Sequence, residues 1–151
     1  MSQTIAFIID PLETLAWYHD SSMYLAEVAL SMGHDVYLCD YRYACHLTDD
    51  KQSISLEAMG QRLVRFKLSC EQVFSNKELG VDDVIDVDPL QTVDLSQCDV
   101  VMMRKDPPVD AIYQRLLDGL ILLKQQGVRV VNDPAGIAQT DEKLSILDYP
   151  D

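Results

Sequence analysis

Hydrophobic and polar positions along the chain fall into two regular stretches separated by an irregular one. Thr4 to Ile9 is an unbroken β-branched and aromatic run closed by Asp10-Pro11, the pattern of a buried strand ending in a turn. Leu12 to His19 follows as a loop or short helical turn. Asp20-Ser21-Ser22 then offers N-cap side chains, and Met23 to Met32 carries no charge except Glu27. That predicts a largely buried helix, stopped by Gly33 at the C′ position. Asp35 to Asp40, with Val36-Tyr37-Leu38-Cys39 inside, is a second strand. Strand, helix and strand in this order predict parallel pairing with a right-handed crossover.

The pattern returns at Asp99 to Arg104, a central-strand run that stops at Lys105-Asp106-Pro107-Pro108 because two prolines cannot extend a ladder. Val109, Ile112, Tyr113, Leu116, Leu117, Leu120 and Ile121 recur at the spacing of an amphipathic helix running to about Leu123. Gly127 ends it, Val128 to Val131 is the next strand, and Asn132-Asp133-Pro134 turns the chain. The result is an α/β class with a mostly parallel sheet and helices on both faces. The helix stripe serves equally for packing on the sheet or for a contact in a homo-oligomer.

The middle is less regular. Tyr43 to Leu47 and Ser53 to Leu56 flank the polar cluster Thr48-Asp49-Asp50-Lys51, which predicts an inserted β-hairpin. Gln61 to Cys70 alternates like a further strand, and a helix is open for Cys70 to Leu79. Val81 to Asp99 holds six aspartates and reads as an acidic solvated loop with at most one short strand at Val84 to Val87.

Charge changes the picture of partners. Twelve Lys plus Arg against twenty-five Asp plus Glu give −13 over 151 residues. That size predicts one main domain. With 48% apolar residues the chain can bury a core. Its negative field disfavours nucleic acid and anionic membrane surfaces. Anionic ligands need a local cationic pocket. The N-terminus has no basic flank and no small-residue cleavage site, no apolar run is long enough to cross a bilayer, and Cys39, Cys45, Cys70 and Cys98 form no C-x-x-C pair. A cytoplasmic, reducing setting is expected, with the cysteines as small buried hydrophobes.

Ligands of open parallel sheets sit beyond the carboxyl ends of the strands. Three polar clusters fall there: Asp10-Pro11 with Asp20-Ser21-Ser22, then Arg104-Lys105-Asp106, then Asn132-Asp133. The Ser21 and Ser22 amides in a first helical turn and the fork of donors on Arg104 would favour a carboxylate or phosphate. Each cluster also has a plain structural role as a cap, a strand terminator or a turn. His19, His34 and His46 lack ligand spacing, so no metal is expected on them. The six glycines never come closer than eight positions, which excludes G-x-G-x-x-G and a Walker loop, and no hydrolase motif is present.

The string Met103-Arg104-Lys105-Asp106-Pro107-Pro108, following Val100-Val101-Met102, resembles the N-terminal part of bacterial glutathione synthetase, of the ATP-grasp ligase superfamily. Ile9-Asp10-Pro11, Asp20-Ser21-Ser22, Val131-Asn132-Asp133-Pro134 and Asp141-Glu142-Lys143-Leu144 agree in order, so that the resemblance runs from Ile5 to about Leu147. It implies a Rossmann-like pre-ATP-grasp substrate domain over residues 1–135 and the start of an ATP-grasp region over 136–151. The implied activity is ATP- and Mg2+-dependent joining of γ-glutamylcysteine and glycine through an acyl phosphate. Arg104, Asp106, Asp20, Ser21 and Ser22 would then lie on the peptide side, and Lys143 would reach the nucleotide phosphates.

The chain departs from the family pattern at Asp133, where a lysine is usual, and at the inserted segment Glu71 to Asp94. It ends at Tyr149-Pro150-Asp151, before any glycine-rich lid or metal-binding carboxylates, so these 151 residues alone are expected not to catalyse ligation or to hold ATP or Mg2+. The alternatives are another ATP-grasp amino-acid ligase and a non-catalytic binding or docking module. A signalling receiver is disfavoured because Asp10 stands alone before Pro11.

Overall fold

The computed structural model describes residues 1–17, 19–44, 46–49, 54–73, 78–106 and 108–139. Within them β1 (Thr4–Ile9), α1 (Ser21–Ser31) and β2 (Asp35–Asp40) form the expected first unit. Asp20 caps α1 by accepting from the Ser22 and Met23 amides at 2.7 and 3.2 Å. Gly33 turns the chain at φ +83°, a backbone conformation that costs a residue with a Cβ. The second unit is β7 (Val100–Met103), α4 (Ala111–Gln125) and β8 (Arg129–Val131), followed by a short α5 (Pro134–Gln139) where a turn is expected. Asp110 caps α4 through the Tyr113 amide at 2.7 Å.

Strands β2, β1, β7 and β8 lie side by side and parallel. The alternation of β1 divides its side chains between two cores. Ala6 and Ile8 pack with Leu116, Leu117, Leu120 and Leu123 of α4, while Ile5, Phe7 and Ile9 pack with Met23, Ala26 and Ala29 of α1. Helices therefore cover both faces, and the α/β, Rossmann-like class holds. On α4 this packing buries Tyr113, Leu116, Leu117, Leu120 and Leu123, while Ile112 and Ile121 are only partly buried and Val109, ahead of the helix, is exposed.

Beyond β2 the sheet continues antiparallel through β3 (His46–Asp49), β4 (Ile54–Phe66), β5 (Ile85–Val87) and β6 (Gln91–Asp94). The hairpin forms, with His46 opposite Glu57 and Asp49 opposite Ile54. It starts later than expected, because Asp40 accepts from the Arg42 amide at 2.9 Å and winds Tyr41–Tyr43 into a 3-10 turn. The predicted turn residues Asp50 and Lys51 lie outside the described residues.

Two expectations for the middle are corrected. The segments around Leu56 and from Gln61 are not separate strands. They join in the thirteen-residue β4, which has β3 and β2 along one edge and β6 and β5 along the other. The strand stops at Phe66, and Cys70–Val73 is a helical turn, α2; residues 74–77 of the helix left open there lie outside the described residues. Nor is Val81 to Asp99 a solvated loop. Val81–Val84 is a helical turn, α3, and two strands and a 3-10 turn follow it. Its apolar residues Val84, Ile85, Val93 and Leu95 are buried. Its aspartates serve as caps and pairs: Asp83 accepts from the Gly80 amide at 2.9 Å, Asp94 from Ser96 at 2.9 Å and Asp99 from Thr4 at 2.8 Å.

Asp86 pairs with Arg65 at 2.5 Å and Lys67 at 2.9 Å, and hydrogen bonds from Lys67 and then Arg65 hold its carboxyl below the ordinary value of 3.8. Asp133 is lowered in the same way, chiefly by Lys124 at 2.9 Å. A depressed carboxylate contributes stability that is present above its unfolded pKa and lost as pH falls through the folded one. Urea midpoints measured from pH 7 down to pH 2 are expected to fall mainly below pH about 4. Asp86→Asn should flatten that decline slightly, since exposed pairs are weak.

Candidate functional site

Because β1 and β7 are parallel, Asp10 and Arg104 emerge at the same edge of the sheet. The Arg104 amide extends the ladder by one bond, donating to the Ile8 carbonyl at 2.8 Å. Its side chain then crosses to the start of α1, donating from Nε to Ser22 Oγ at 3.2 Å and from Nη2 to Ser21 Oγ at 2.6 Å. Three residues singled out in the sequence are thus in direct contact. The amides work differently from the expectation. Asp20 takes those of Ser22 and Met23 as its cap, so the serines meet the site through their hydroxyls.

These groups line a cavity of about 410 Å³, together with Asp10, Asp20, Lys105 and Asp106. Among the described residues, Arg104 has no carboxylate within ion-pair distance. Arg42, Arg62, Arg65, Lys67, Lys105 and Lys124 all have one, and Arg115 and Arg129, which also lack one, do not line the cavity. In a chain of net charge −13, an arginine held by two neutral hydroxyls keeps its charge available to an anionic ligand.

Lys105 was not expected to carry a role of its own. Its side chain is 3% exposed, and its ammonium meets Asp10 Oδ1 at 3.1 Å. It also donates to the Asp106 carbonyl and sits 4.7 Å from the centre of the Tyr41 ring. The other Asp10 oxygen accepts from the Asp106 amide at 3.2 Å. Asp106 therefore enters the site through its backbone, with its residue exposed at the rim. The signal was present in the sequence, as an acid and a base just past the ends of two apolar runs that parallel pairing makes neighbours.

A second cavity of about 330 Å³ adjoins the first across Asp10, between the ends of β1 and β2 and the middle of β4. Its one arginine, Arg42, is engaged by Asp40 at 2.5 Å and Glu13 at 3.2 Å.

A family model described as the prokaryotic glutathione synthetase N-terminal domain matches residues 3–138, which include both strand units and every described residue of the site. The chain belongs to this family. It is 30% identical over 145 residues to the glutathione synthetase of Synechocystis sp., covering 96% of this chain and 43% of that protein. It is 31% identical over 153 residues to that of Gloeobacter violaceus, with 97% and 42% covered. The glutathione synthetase of Bordetella pertussis is 30% identical over 151 residues, with 97% and 42% covered. The chain thus spans roughly two fifths of the length of the curated relatives it matches.

In this chain Asp133 is tied to Lys124 and accepts from the Ala135 amide at 3.2 Å, at the start of α5. Asn132 donates to the Met103 carbonyl at 3.0 Å and so braces β8 against the end of β7. His19 is exposed at the first cavity, and His34 accepts from the Gln3 amide at 3.2 Å. Among the described residues no group of three His, Cys, Asp or Glu could hold a metal ion. No described helix is long and apolar enough to cross a membrane. Burial pushes the Cys98 thiol up to about 11 and the Cys70 thiol up to about 12, and raises that of Cys39. Such thiols are poor nucleophiles. Lys143 lies outside the described residues.

Proposed function

We propose that this chain is the peptide-receiving part of a cytoplasmic glutathione synthetase, with γ-glutamylcysteine as its ligand. The observation that carries this is the Arg104 guanidinium, without a carboxylate partner among the described residues and set by Ser21 and Ser22 in a polar cavity at the carboxyl edge of the sheet. A net-anionic peptide with two carboxylates approaching an acidic protein needs one such fork, and Arg104 would take one of them. Asp20 and Asp106 stand at the rim, where carboxylates suit the peptide's ammonium. The serine hydroxyls fix the plane of the guanidinium and so the direction of approach.

In the whole ligase, ATP with magnesium would activate the peptide carboxylate as an acyl phosphate for attack by the amine of glycine. The residues proposed for those groups lie elsewhere. The described residues include no metal-holding cluster, and the lysine proposed to reach the phosphates, Lys143, lies beyond them. The region from 136 onward is proposed to open the nucleotide-handling part, and no step of activation falls on residues 1–135. This chain alone would bind peptide and make no glutathione.

Titration of the chain with γ-glutamylcysteine, followed by 15N NMR, tests the proposal. The expected result is saturable shifts at Ser21, Ser22, Arg104 and Asp106, with no glutathione formed on adding glycine and Mg-ATP. No shift at these residues at millimolar peptide overturns the peptide site, and glutathione formation overturns the inactivity of the chain.

A further inference from the structure

We infer that Lys105 is a positioning residue for Arg104, acting by occupying the carboxylate of Asp10. This rests on the peptide-binding role proposed for Arg104. The cavity wall carries two cations, Arg104 and Lys105, and three carboxylates, Asp10, Asp20 and Asp106. Charge alone would place a carboxylate on each cation and leave nothing for an anionic ligand. The geometry distributes them differently. Asp20 is turned to the α1 amides as a cap. Asp10 is held on both oxygens, by the Lys105 ammonium at 3.1 Å and by the Asp106 amide at 3.2 Å.

The lysine is bound to this duty by its surroundings. Its buried ammonium has Asp10 for charge, the Asp106 carbonyl for a hydrogen bond and the Tyr41 ring below it. A charge removed from water in this way needs those partners and does not exchange them readily. The chemistry of the two neighbours divides accordingly. A compact ammonium with three donors suits a closed internal site, and a planar fork suits an external carboxylate. The fork stays with Ser21 and Ser22 because the Asp10 carboxylate is already taken. Removing the ammonium would free Asp10 to pair with Arg104 or to repel an incoming carboxylate.

The test compares Lys105→Met with Lys105→Met/Asp10→Asn in the full 151-residue chain. Asparagine keeps an acceptor for the Asp106 amide and removes the charge, and the double variant buries no lone ion, so it folds even where the single one does not. Two measurements are made on each: γ-glutamylcysteine affinity by calorimetry, and the ligand-free Arg104 Nε–H resonance in 15N NMR. In the single variant, affinity is expected to fall at least about tenfold and the resonance to move. In the double variant, affinity should return to within about threefold of the parent and the resonance to its parent position. A role confined to holding the fold gives no such return. An unmoved Arg104 resonance in Lys105→Met, or a double variant as impaired as the single one, overturns the inference. Should the parent chain bind no peptide while the resonance still follows Lys105 and is restored by Asp10→Asn, the peptide assignment fails and the positioning role stands.

Discussion

Alanine at position 104 is expected to weaken binding of γ-glutamylcysteine by about 10- to 100-fold while leaving the thermal midpoint of the chain within a few degrees of the parent. A hydrogen bond to a charged group is worth about 1.5–3 kcal/mol, and each 1.4 kcal/mol is roughly tenfold in affinity. The stability cost is modest, about 1–2 kcal/mol, because Ser21 can turn to water and the loss is confined to the bond to the buried Ser22 hydroxyl. Lysine at the same position should recover part of the affinity, since it restores charge without the planar fork. Binding by the parent should also weaken with added salt, as expected for a charge shared with solvent. Calorimetry at two ionic strengths checks all three. An alanine variant that binds like the parent removes Arg104 from the site.

The second large effect is on stability. Leu116→Ala should lower the free energy of unfolding by about 2–5 kcal/mol, a sizeable part of the roughly 5–15 kcal/mol available to a domain. Leu116 is fully buried in α4 and belongs to the cluster that joins the helix to Ala6, Ile8 and Val101 across the sheet. Ile121, on the same helix but only partly buried, should cost clearly less when truncated. Urea unfolding followed by circular dichroism, with unchanged slope, measures both. Equal losses at 116 and 121 would mean that α4 is not seated as described.

The parallel half was legible because its strands are short apolar runs and its helices carry their own punctuation: Asp20 before α1, Gly33 after it, and the stripe of α4. β4 was hidden for a specific reason. Its inward residues Ala58 and Gly60 are too small to register as hydrophobic alternation, and a register shift between Leu63 and Arg65 breaks the period. Gly60 lies opposite Cys39, and a Cβ there would meet the Cys39 sulfur at 2.7 Å, so the smallness is required by packing. The aspartates between 81 and 99 were misread because a charge run shows neither the cap it makes nor the cation it meets across the sheet. Asp88 finds Arg62 at 2.8 Å only once β4 is in place. At the site, the meeting of Arg104 with the serines followed from parallel pairing. The partition of Asp10 to Lys105 depended on side-chain directions that spacing does not encode.

β1 is a strand completed late in the order of the chain. β1 needs β2 on one side and β7 on the other, and its Thr4 amide is held by Asp99. A nascent chain therefore carries Ile5-Ala6-Phe7-Ile8-Ile9 with one unpaired edge until the residues from Val100 onward have emerged. The acidic middle lies between the two, and charge of that kind disfavours association of an apolar segment with its neighbours, so the same aspartates that cap turns in the fold also suit a chain whose first apolar strand waits for its partner.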